Sequence, residues 1–496
     1  MNAGSRTRPL FPVHTNAISA TAQARLQIKN NYYLRNSRLY YLVAMADFFK
    51  IKQGLDIPVI GIAGTVVRKK ADGPVAVCPE NFKGLAPRLL VKEGDKVLAG
   101  SPVISDKNHP EILLTAPLSG TVSGIVRGER RKLLAITIEP DGQGGKTAFP
   151  KRDPSVLEDA QVREALLESG LWPFLVQRPY GIIADPSITP KAIFISAFST
   201  APLAADTEFT LAGDIAFIQA AVTALGKIAP VHLSVKDEGS IFAGIQGANI
   251  HVFKGKHPAG NVGVQISHVS PICKGQTVWT VSPEGLAAIG RLLLEGCYDV
   301  WRKVAVCGPA ASEPAYMEAL PGMPLQQISD ARSEPGMTEA VRTVSGDLLT
   351  GTAPSHPALT GRLGFFHNQI TLLKEGTEKE LLGWMRPLRL NQFSADRTYF
   401  SWLFPRRKYA MDTNLHGGPR AFVMSDSYYA KVLPMDIYPL YLVKACLAGD
   451  IEKMEKFGIY EVLPEDLSLC EFIDPSKNCI QDIIAKGIDL MLKEMT

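Results

Sequence analysis

Residues 103–126 read VISDKNHPEILLTAPLSGTVSGIV. Short apolar runs alternate here with Asp-Lys, Asn-His-Pro, Ala-Pro and Ser-Gly, the signal of brief strands joined by tight turns. The pattern extends outward over residues 51–140, through KQGLDIPV, ADGPVAV, VKEGDKVLAGSPV and KLLAITIEPDG. Gly94-Asp95, Gly100, Gly120 and Gly124 bracket the apolar pieces. Glycine supplies the positive φ that a small sandwich needs at its corners, and Asp95 can bond the backbone of its own turn. This part of the chain is expected to be all-β.

An Asp-Lys turn, a strand ending at Ala-Pro, and then Ser-Gly-Thr-Val together resemble the barrel-sandwich of lipoyl and biotinyl carrier domains. Attachment of a prosthetic arm needs a lysine at the tip of a tight hairpin. Here Pro110 fixes its own φ and restricts His109, which lengthens the turn after Asp106-Lys107. A structural sandwich is therefore expected, with Lys107 a turn lysine.

Beyond the Gly/Pro/Lys linker PDGQGGKTAFPKRDP (140–154) the period changes. Ser155 with Glu158 is expected to form a capping box ahead of a helix that carries Val162, Ala165 and Leu166 and stops at Gly170. KAIFISAF (191–198), APVHLSVK (229–236), NIHVFKG (249–255) and KVAVCG (303–308) read as strands. Ile215, Ile218, Val222 and Leu225 form one helical stripe, and Leu286, Ile289 and Leu293 another within 283–296. Strand and helix alternate, so the middle of the chain is α/β. Residues 319–351 read as strand and turn around a small helix, as in β-grasp modules of the SLBB kind, and sequence beyond 385 becomes helix-like between prolines. The expected fold is multi-domain α+β. It comprises a basic extension at 1–44 outside the fold, a β barrel-sandwich (lipoyl-like) module at 45–150, an α/β domain at 151–300, a β-grasp domain at 301–385 and a mainly helical domain at 386–496.

Composition narrows the function. Hydrophobic residues make up 46% and charged residues 21%, values of an ordinary globular protein. No apolar run approaches the length of a transmembrane helix, so any membrane role is peripheral. The net charge of +4 is concentrated at the start: residues 1–44 hold six basic residues and no Asp or Glu, and the remainder balances 47 basic against 49 acidic side chains. The body of the chain thus lacks a nucleic-acid footprint. The basic start has a composition that targeting segments share, whereas folded-looking sequence opening at Met45 favours an extension upstream of the fold. Seven scattered cysteines, never spaced CxxC, point to a reducing compartment and away from a disulfide framework or a zinc ribbon.

Six further stretches, in order, are IKQGLDIPVIG (51–61), SGLW (169–172), PLAAD (202–206), HPAGNVG (257–263), HGGPRA (416–421) and LPMDIYP (433–439). Together they resemble the NqrA family, the A subunits of the bacterial sodium-pumping NADH:quinone oxidoreductase, over residues 45–496. More remotely the chain is similar to the C subunit of the Rnf complex and to the NADH-binding subunit of complex I. The resemblance implies a peripheral subunit on the cytoplasmic face of the bacterial inner membrane, in a six-subunit complex that passes electrons from NADH to ubiquinone and expels sodium. It implies no tightly bound redox centre in this subunit. NADH, FAD, FMN and iron–sulfur centres would belong to partner subunits, the nearest being the membrane subunit with covalent flavin, and ubiquinone would be the substrate of the complex.

Other candidate chemistry is weighed against that expectation. In the Rnf relative the region matching LCEFIDPSKNC (469–479) holds ferredoxin-like clusters, which need four thiolates each. Here Asp474 stands where a cluster cysteine would, leaving Cys470 and Cys479 with distant Cys446, so a relic without a cluster is expected. GIAG (61–64) and HPAGNVGV (257–264) lack the GxGxxG pattern between strand and helix and read as turns. His251, His257 and His268 have spacings that share no helical face and read as strand-edge or turn histidines. TYFSWLFPRRKYA (398–410) sets Phe400, Trp402, Leu403 and Phe404 beside Arg406, Arg407 and Lys408. That pairing suits contact with a quinone or a membrane partner at Phe400, Trp402, Phe404, Arg406 and Arg407, or else an inter-domain core with a solvated basic loop. The leading expectation is a cofactor-free subunit serving the quinone step. An electron-input subunit binding NADH, flavin or an iron–sulfur cluster, and a pure scaffold, are the alternatives.

Overall fold

In the computed structural model of the chain, residues 47–68, 71–329, 341–352, 361–376, 389–395, 397, 399–415 and 424–495 are described. The basic extension at 1–44 and HGGPRA at 416–421 lie outside them. The first strands are β1 (Asp47–Lys50), β2 (Gly64–Val67), β3 (Val75–Val77), β4 (Pro87–Leu89) and β5 (Lys96–Val97). They continue with β6 (Pro102–Asp106), β7 (Leu113–Thr115), β8 (Gly120–Arg127) and β9 (Leu133–Pro140). Strands β3-β9-β8-β5 form one antiparallel sheet and β4-β6-β7 a second. Val103, Ile104, Val122, Ile136 and Ile138 fill the space between them, each at most 1% exposed. Alternate residues of short strands point inward, so a sandwich this small has a core despite its glycine content.

The next elements are α1 (Asp159–Ser169), β10 (Val176–Arg178), β11 (Ile182–Ile183), β12 (Ile193–Ser196), α2 (Thr207–Leu211) and α3 (Ile215–Leu225). They lead into β13 (Val231–Val235), β14 (Ala248–Lys254), α4 (Val262–Val269), β15 (Val278–Thr280) and α5 (Pro283–Glu295). The sheet runs β1-β14-β13-β12-β15-β10-β11, parallel from β1 through β15 and antiparallel thereafter. Helix boundaries follow local chemistry. Ser282 caps α5 by accepting from the Gly285 amide at 3.1 Å, Pro283 opens it, and Gly296 ends it at φ 70°. At α1 the cap lies three residues beyond the expected Ser155. The Ser155 hydroxyl bonds Asp153 at 2.8 Å, while Glu158 is the N-cap and the Gln161 side chain accepts from its amide at 3.0 Å.

The third sheet contains β16 (Arg302–Cys307), β17 (Ala315–Ala319), β18 (Val341–Ser345) and β19 (Gln369–Lys374), with α6 (Leu325–Ser329) between β17 and β18. Its order is β18-β19-β16-β17-β2, and its central pair β16 and β19 is parallel. The C-terminal part is helical: α7 (Asp426–Tyr429), α8 (Pro439–Ala448), α9 (Ile451–Phe457), α10 (Ser468–Ile473) and α11 (Ile480–Met495). In α11 the buried Ile480, Ile484, Ile488 and Met491 recur at helical spacing.

Hydrogen bonds join segments expected in different domains. Strand β1 extends the parallel sheet beside β14, pairing Asp47 with His251, and β2 joins the third sheet beside β17. Neither pairing has a local signal, because partners meet only through the fold. The C-terminal helices likewise share their core. One buried cluster joins Ile51 and Ile57, Phe253 and Val264, and Leu442, Val443, Ile484 and Met491. Among the described residues no helix is long and apolar enough to cross a membrane.

Candidate functional site

In an open α/β sheet, ligands bind beyond the carboxyl ends of the strands where strand order reverses. Here the chain passes from β12 to β13 and β14 on one side, then returns through α4 to β15 on the other, so the reversal lies between β12 and β15. The returning loop, His257–Asn261, crosses the end of β12. Ser196 Oγ donates to the Gly260 carbonyl at 2.9 Å, the Gly260 amide donates to Thr200 Oγ1 at 2.9 Å, and Gln265 Nε2 donates to Ser196 Oγ at 2.8 Å. A side chain at Gly260 would collide with the Thr200 amide, which is why this crossing needs glycine. HPAGNVG therefore runs from a strand into a helix, contrary to the expectation of a bare turn. Two glycines within four residues hid the helix start.

The space at the start of α4 is occupied by the chain itself. Arg178, at the end of β10, donates from Nη1 to Asp466 Oδ2 at 2.8 Å and from Nη2 to Glu465. Arg178 is 1% exposed and Asp466 2%, whereas Glu465 is half-buried. Burial opposes the Arg178 charge, but the two carboxylates outweigh it and hold the guanidinium pKa above its ordinary value. A Cβ at Gly263 would overlap Asp466 and the Arg178 guanidinium, so the triad packs directly on the first turn of the helix. A guanidinium–carboxylate pair thus fills the space beside the helix start, where a phosphate could otherwise be cradled. Nothing in the sequence around Arg178 or Asp466 announces this pairing, since the two lie 288 residues apart along the chain.

His257 begins the crossing loop. It is 2% exposed, its Nδ1 lies 3.2 Å from Thr200 Oγ1, and its amide donates to Asp56 Oδ1 at 3.0 Å. Burial lowers its pKa to about 4, against the opposing pull of Asp347, Asp56 and Asp466, so the ring is neutral near pH 7. The other two histidines of the expected trio lie elsewhere. His251 sits inside the sheet, with Nε2 2.8 Å from His232 Nδ1 and Nδ1 3.4 Å from Asp47, and His268 donates to the Val264 carbonyl within α4. His251 is thus an interior strand residue, because β1 covers the edge it would otherwise have formed. Its partner His232 was legible only through pairing: His232 lies opposite Asn249, two residues from His251, which places both rings on one face.

The cysteine region is a polar knot. Asp474, fully buried, accepts from the Asn478 amide at 2.8 Å, Asn478 Nδ2 at 2.7 Å and the Tyr429 hydroxyl at 3.1 Å. Burial, reinforced by Asp474, pushes the Cys470 thiol well above its ordinary range, and burial pushes Cys446 up to about 11, so both are protonated. Cys479 is exposed. Among the described residues no group of three or more His, Cys, Asp or Glu is arranged to hold a metal ion. Lys107 is exposed and is the first residue after β6. Its amide is bonded to the Ala86 carbonyl at 2.8 Å, and buried Asp106 accepts from the Ala86 and Asn108 amides at 3.1 Å each. It stands at the root of its loop.

The residues Phe400, Trp402, Phe404, Arg406 and Arg407 do come together at the surface. Phe400–Leu403 form a 3-10 turn, and the seven residues from Trp402 to Lys408 are all exposed. The inter-domain core considered for these aromatics is therefore not where they lie. A cavity of about 210 Å³ opens elsewhere, between α5 and the third sheet, lined by Asp214, Glu284, Arg291, Asp299, Lys303 and Glu318 among others. Arg291 is paired with Asp214 at 2.6 Å and Asp299 with Lys146 at 2.7 Å. The cavity walls mix these charges with Phe174, Leu211, Ala287, Val300 and Trp301, whereas the ring and tail of a quinone need an apolar slot.

Comparison with known proteins adds a family. Residues 49–141 match the NqrA N-terminal barrel-sandwich hybrid domain and residues 157–298 the NqrA second alpha/beta domain. The A subunit of the Na(+)-translocating NADH-quinone reductase of Yersinia pestis bv. Antiqua (strain Angola) is 38% identical over 443 residues, covering 86% of this chain and 96% of its own. The proteins of the same name from Pseudomonas aeruginosa (strain UCBPP-PA14) and Rhodopirellula baltica are 35% and 32% identical, covering 86% and 90% of this chain and 96% and 98% of theirs. A solved NAD+-reducing [NiFe]-hydrogenase chain superposes with a TM-score of 0.36 at 13% identity, covering 68% of this chain and 64% of its own, too slight a likeness to carry an argument.

Proposed function

The chain belongs to the NqrA family, one of the subunits that make up the Na(+)-translocating NADH-quinone reductase, and from that premise we propose that it serves the quinone step of its complex by position, without a redox centre of its own. The observation that carries this reading is the Arg178–Glu465–Asp466 triad packed on the first turn of α4. A doubly wound domain offers a nucleotide phosphate its best site there, and a resident carboxylate repels one. Protonated, buried Cys470 and the carboxylate of Asp474 in place of a thiolate weigh in the same direction against an iron–sulfur centre. NADH, flavins and iron–sulfur centres then reside in other subunits, and ubiquinone is reduced where this chain meets the membrane subunit with covalent flavin, on the cytoplasmic face. The chain braces that partner and helps the complex assemble.

Phe400, Trp402, Phe404, Arg406 and Arg407 are the surface through which the chain is held at the membrane beside that partner and the quinone. Quinone titration of the intact complex tests the reading: substituting these residues together should raise the quinone concentration for half-maximal rate or release the chain from the complex, with NADH oxidation by an artificial acceptor unchanged. The purified full chain should be colourless. A yellow or brown protein with stoichiometric flavin or iron, or NADH oxidation by the isolated chain, overturns the proposal.

A further inference from the structure

The loop Phe400–Lys408 combines two properties that surface loops rarely share. Single exposed apolar residues are ordinary, but Trp402, Leu403 and Phe404 follow one another at 48%, 52% and 44% exposure, with Phe400 beside them. They are not the tip of a segment that lacks a place to pack, because both ends of the turn are fixed. Ser401 is buried, accepts from the Ser394 amide at 3.1 Å and donates to the Ser394 carbonyl at 3.3 Å. Tyr409, buried, donates from its amide to the Pro58 carbonyl at 2.7 Å, and the Ile60 amide donates back to its carbonyl at 3.1 Å. Between these anchors the aromatic side chains are held outward.

Charge selects the occupant. From Arg397 to Met411 the sequence contains no Asp or Glu. Arg406, Arg407 and Lys408 are all exposed; Arg407 donates to Asn391 Oδ1 at 2.5 Å and lies over the Tyr409 ring at 5.6 Å, and among the described residues no carboxylate pairs with any of the three. Arg397 lies over the Trp402 ring at 5.4 Å, setting a further cation on the aromatic face. Trp, Phe and Arg are common to protein interfaces and membrane anchors, and what selects here is the run of cations without a compensating acid, which meets lipid phosphates while the amphipathic aromatics enter the headgroup layer.

We propose that Phe400–Lys408 is an anchor for an anionic lipid surface, with Trp402, Leu403 and Phe404 entering the headgroup boundary and Arg406, Arg407 and Lys408 meeting the phosphates. This deepens the reading of the chain as a peripheral component of a membrane complex, and rests on it only for the identity of that surface.

The test uses the full chain with vesicles of phosphatidylglycerol and phosphatidylcholine, and with phosphatidylcholine alone. The chain should sediment with the anionic vesicles, less so as salt rises, and hardly at all with neutral ones. Each basic residue near such a surface contributes on the order of a fivefold change in partitioning, so Arg406→Glu with Arg407→Glu should weaken binding by roughly thirtyfold or more. Brominated acyl chains should quench tryptophan fluorescence in the wild-type chain, and Trp402→Phe should remove that quenching with the fold, read by circular dichroism, intact. Absence of binding to anionic vesicles overturns the proposal, as does binding without quenching through Trp402. Should the substituted chain bind vesicles normally yet fail to join the other subunits in detergent, the loop docks a protein and the lipid assignment is wrong. Quinone turnover of the detergent-solubilised complex judges the proposed function separately.

Discussion

Removing the Asp466 carboxylate should open the C-terminal body locally. In Asp466→Leu the buried Arg178 keeps only the half-buried Glu465, and the Leu463 amide loses the acceptor it now finds in Asp466 Oδ2 at 2.9 Å. Breaking a buried pair from one side costs about 3–5 kcal/mol, because an uncompensated charge stays behind. The retained Glu465 places this case near the lower end, about 3 kcal/mol. A chain of this length need not unfold in one step, so the measurement is hydrogen exchange in the full chain, which reads local opening. Amides around Leu463–Leu467 should exchange roughly a hundredfold faster in Asp466→Leu, since about 1.4 kcal/mol is a factor of ten. Arg178→Met with Asp466→Leu removes both charges and should restore most of the protection, giving a coupling of about 2 kcal/mol in the double-mutant cycle. Exchange within about threefold of wild type for Asp466→Leu, or a double variant no better protected than either single one, would refute the account of the triad as a buried, mutually dependent set.

Three further outcomes follow from the same geometry. His257 titrates near 4 in the fold against an ordinary value near 6.5, so its contribution is present above about pH 6.5 and is lost as pH falls toward 4, by up to about 3 kcal/mol. A thermal-denaturation series from about pH 7 down to about pH 4.5 should show a smaller decline in His257→Gln than in the native chain. Gly290→Ala, favoured by helix propensity, should destabilise the protein by about 1–3 kcal/mol, because the new methyl would overlap the Phe217 carbonyl where α3 and α5 approach; an unchanged or raised denaturation midpoint would contradict this. Asp474→Ala orphans the amide and side chain of Asn478 and the Tyr429 hydroxyl, and should cost about 2–4 kcal/mol in the protection of α10 and α11, read by hydrogen exchange.

Local chemistry made much of the fold legible. Glycine-bracketed apolar runs in residues 51–140 read as short strands with sharp corners, and the stripe of Leu286, Ile289 and Leu293 read as the helix that is α5. The helix-like sequence beyond 385 became helices, with Ile480, Ile484 and Ile488 on the buried face of α11. The outward loop at Phe400–Lys408 was visible as a composition, and the structure decided that its aromatics face solvent and do not fill a core.

Sequence alone thus determined the strand and helix types, the family likeness and the absence of CxxC thiolates. Tertiary structure decided which strands share a sheet, where β1 and β2 belong, that HPAGNVG opens a helix, and that Arg178 meets Asp466. The physical reason is the range of the forces involved. Propensity, capping and turn strain act over a few residues and leave their mark in the chain. Strand pairing and a buried ion pair gain their energy only when distant segments arrive together in a site from which water has been expelled.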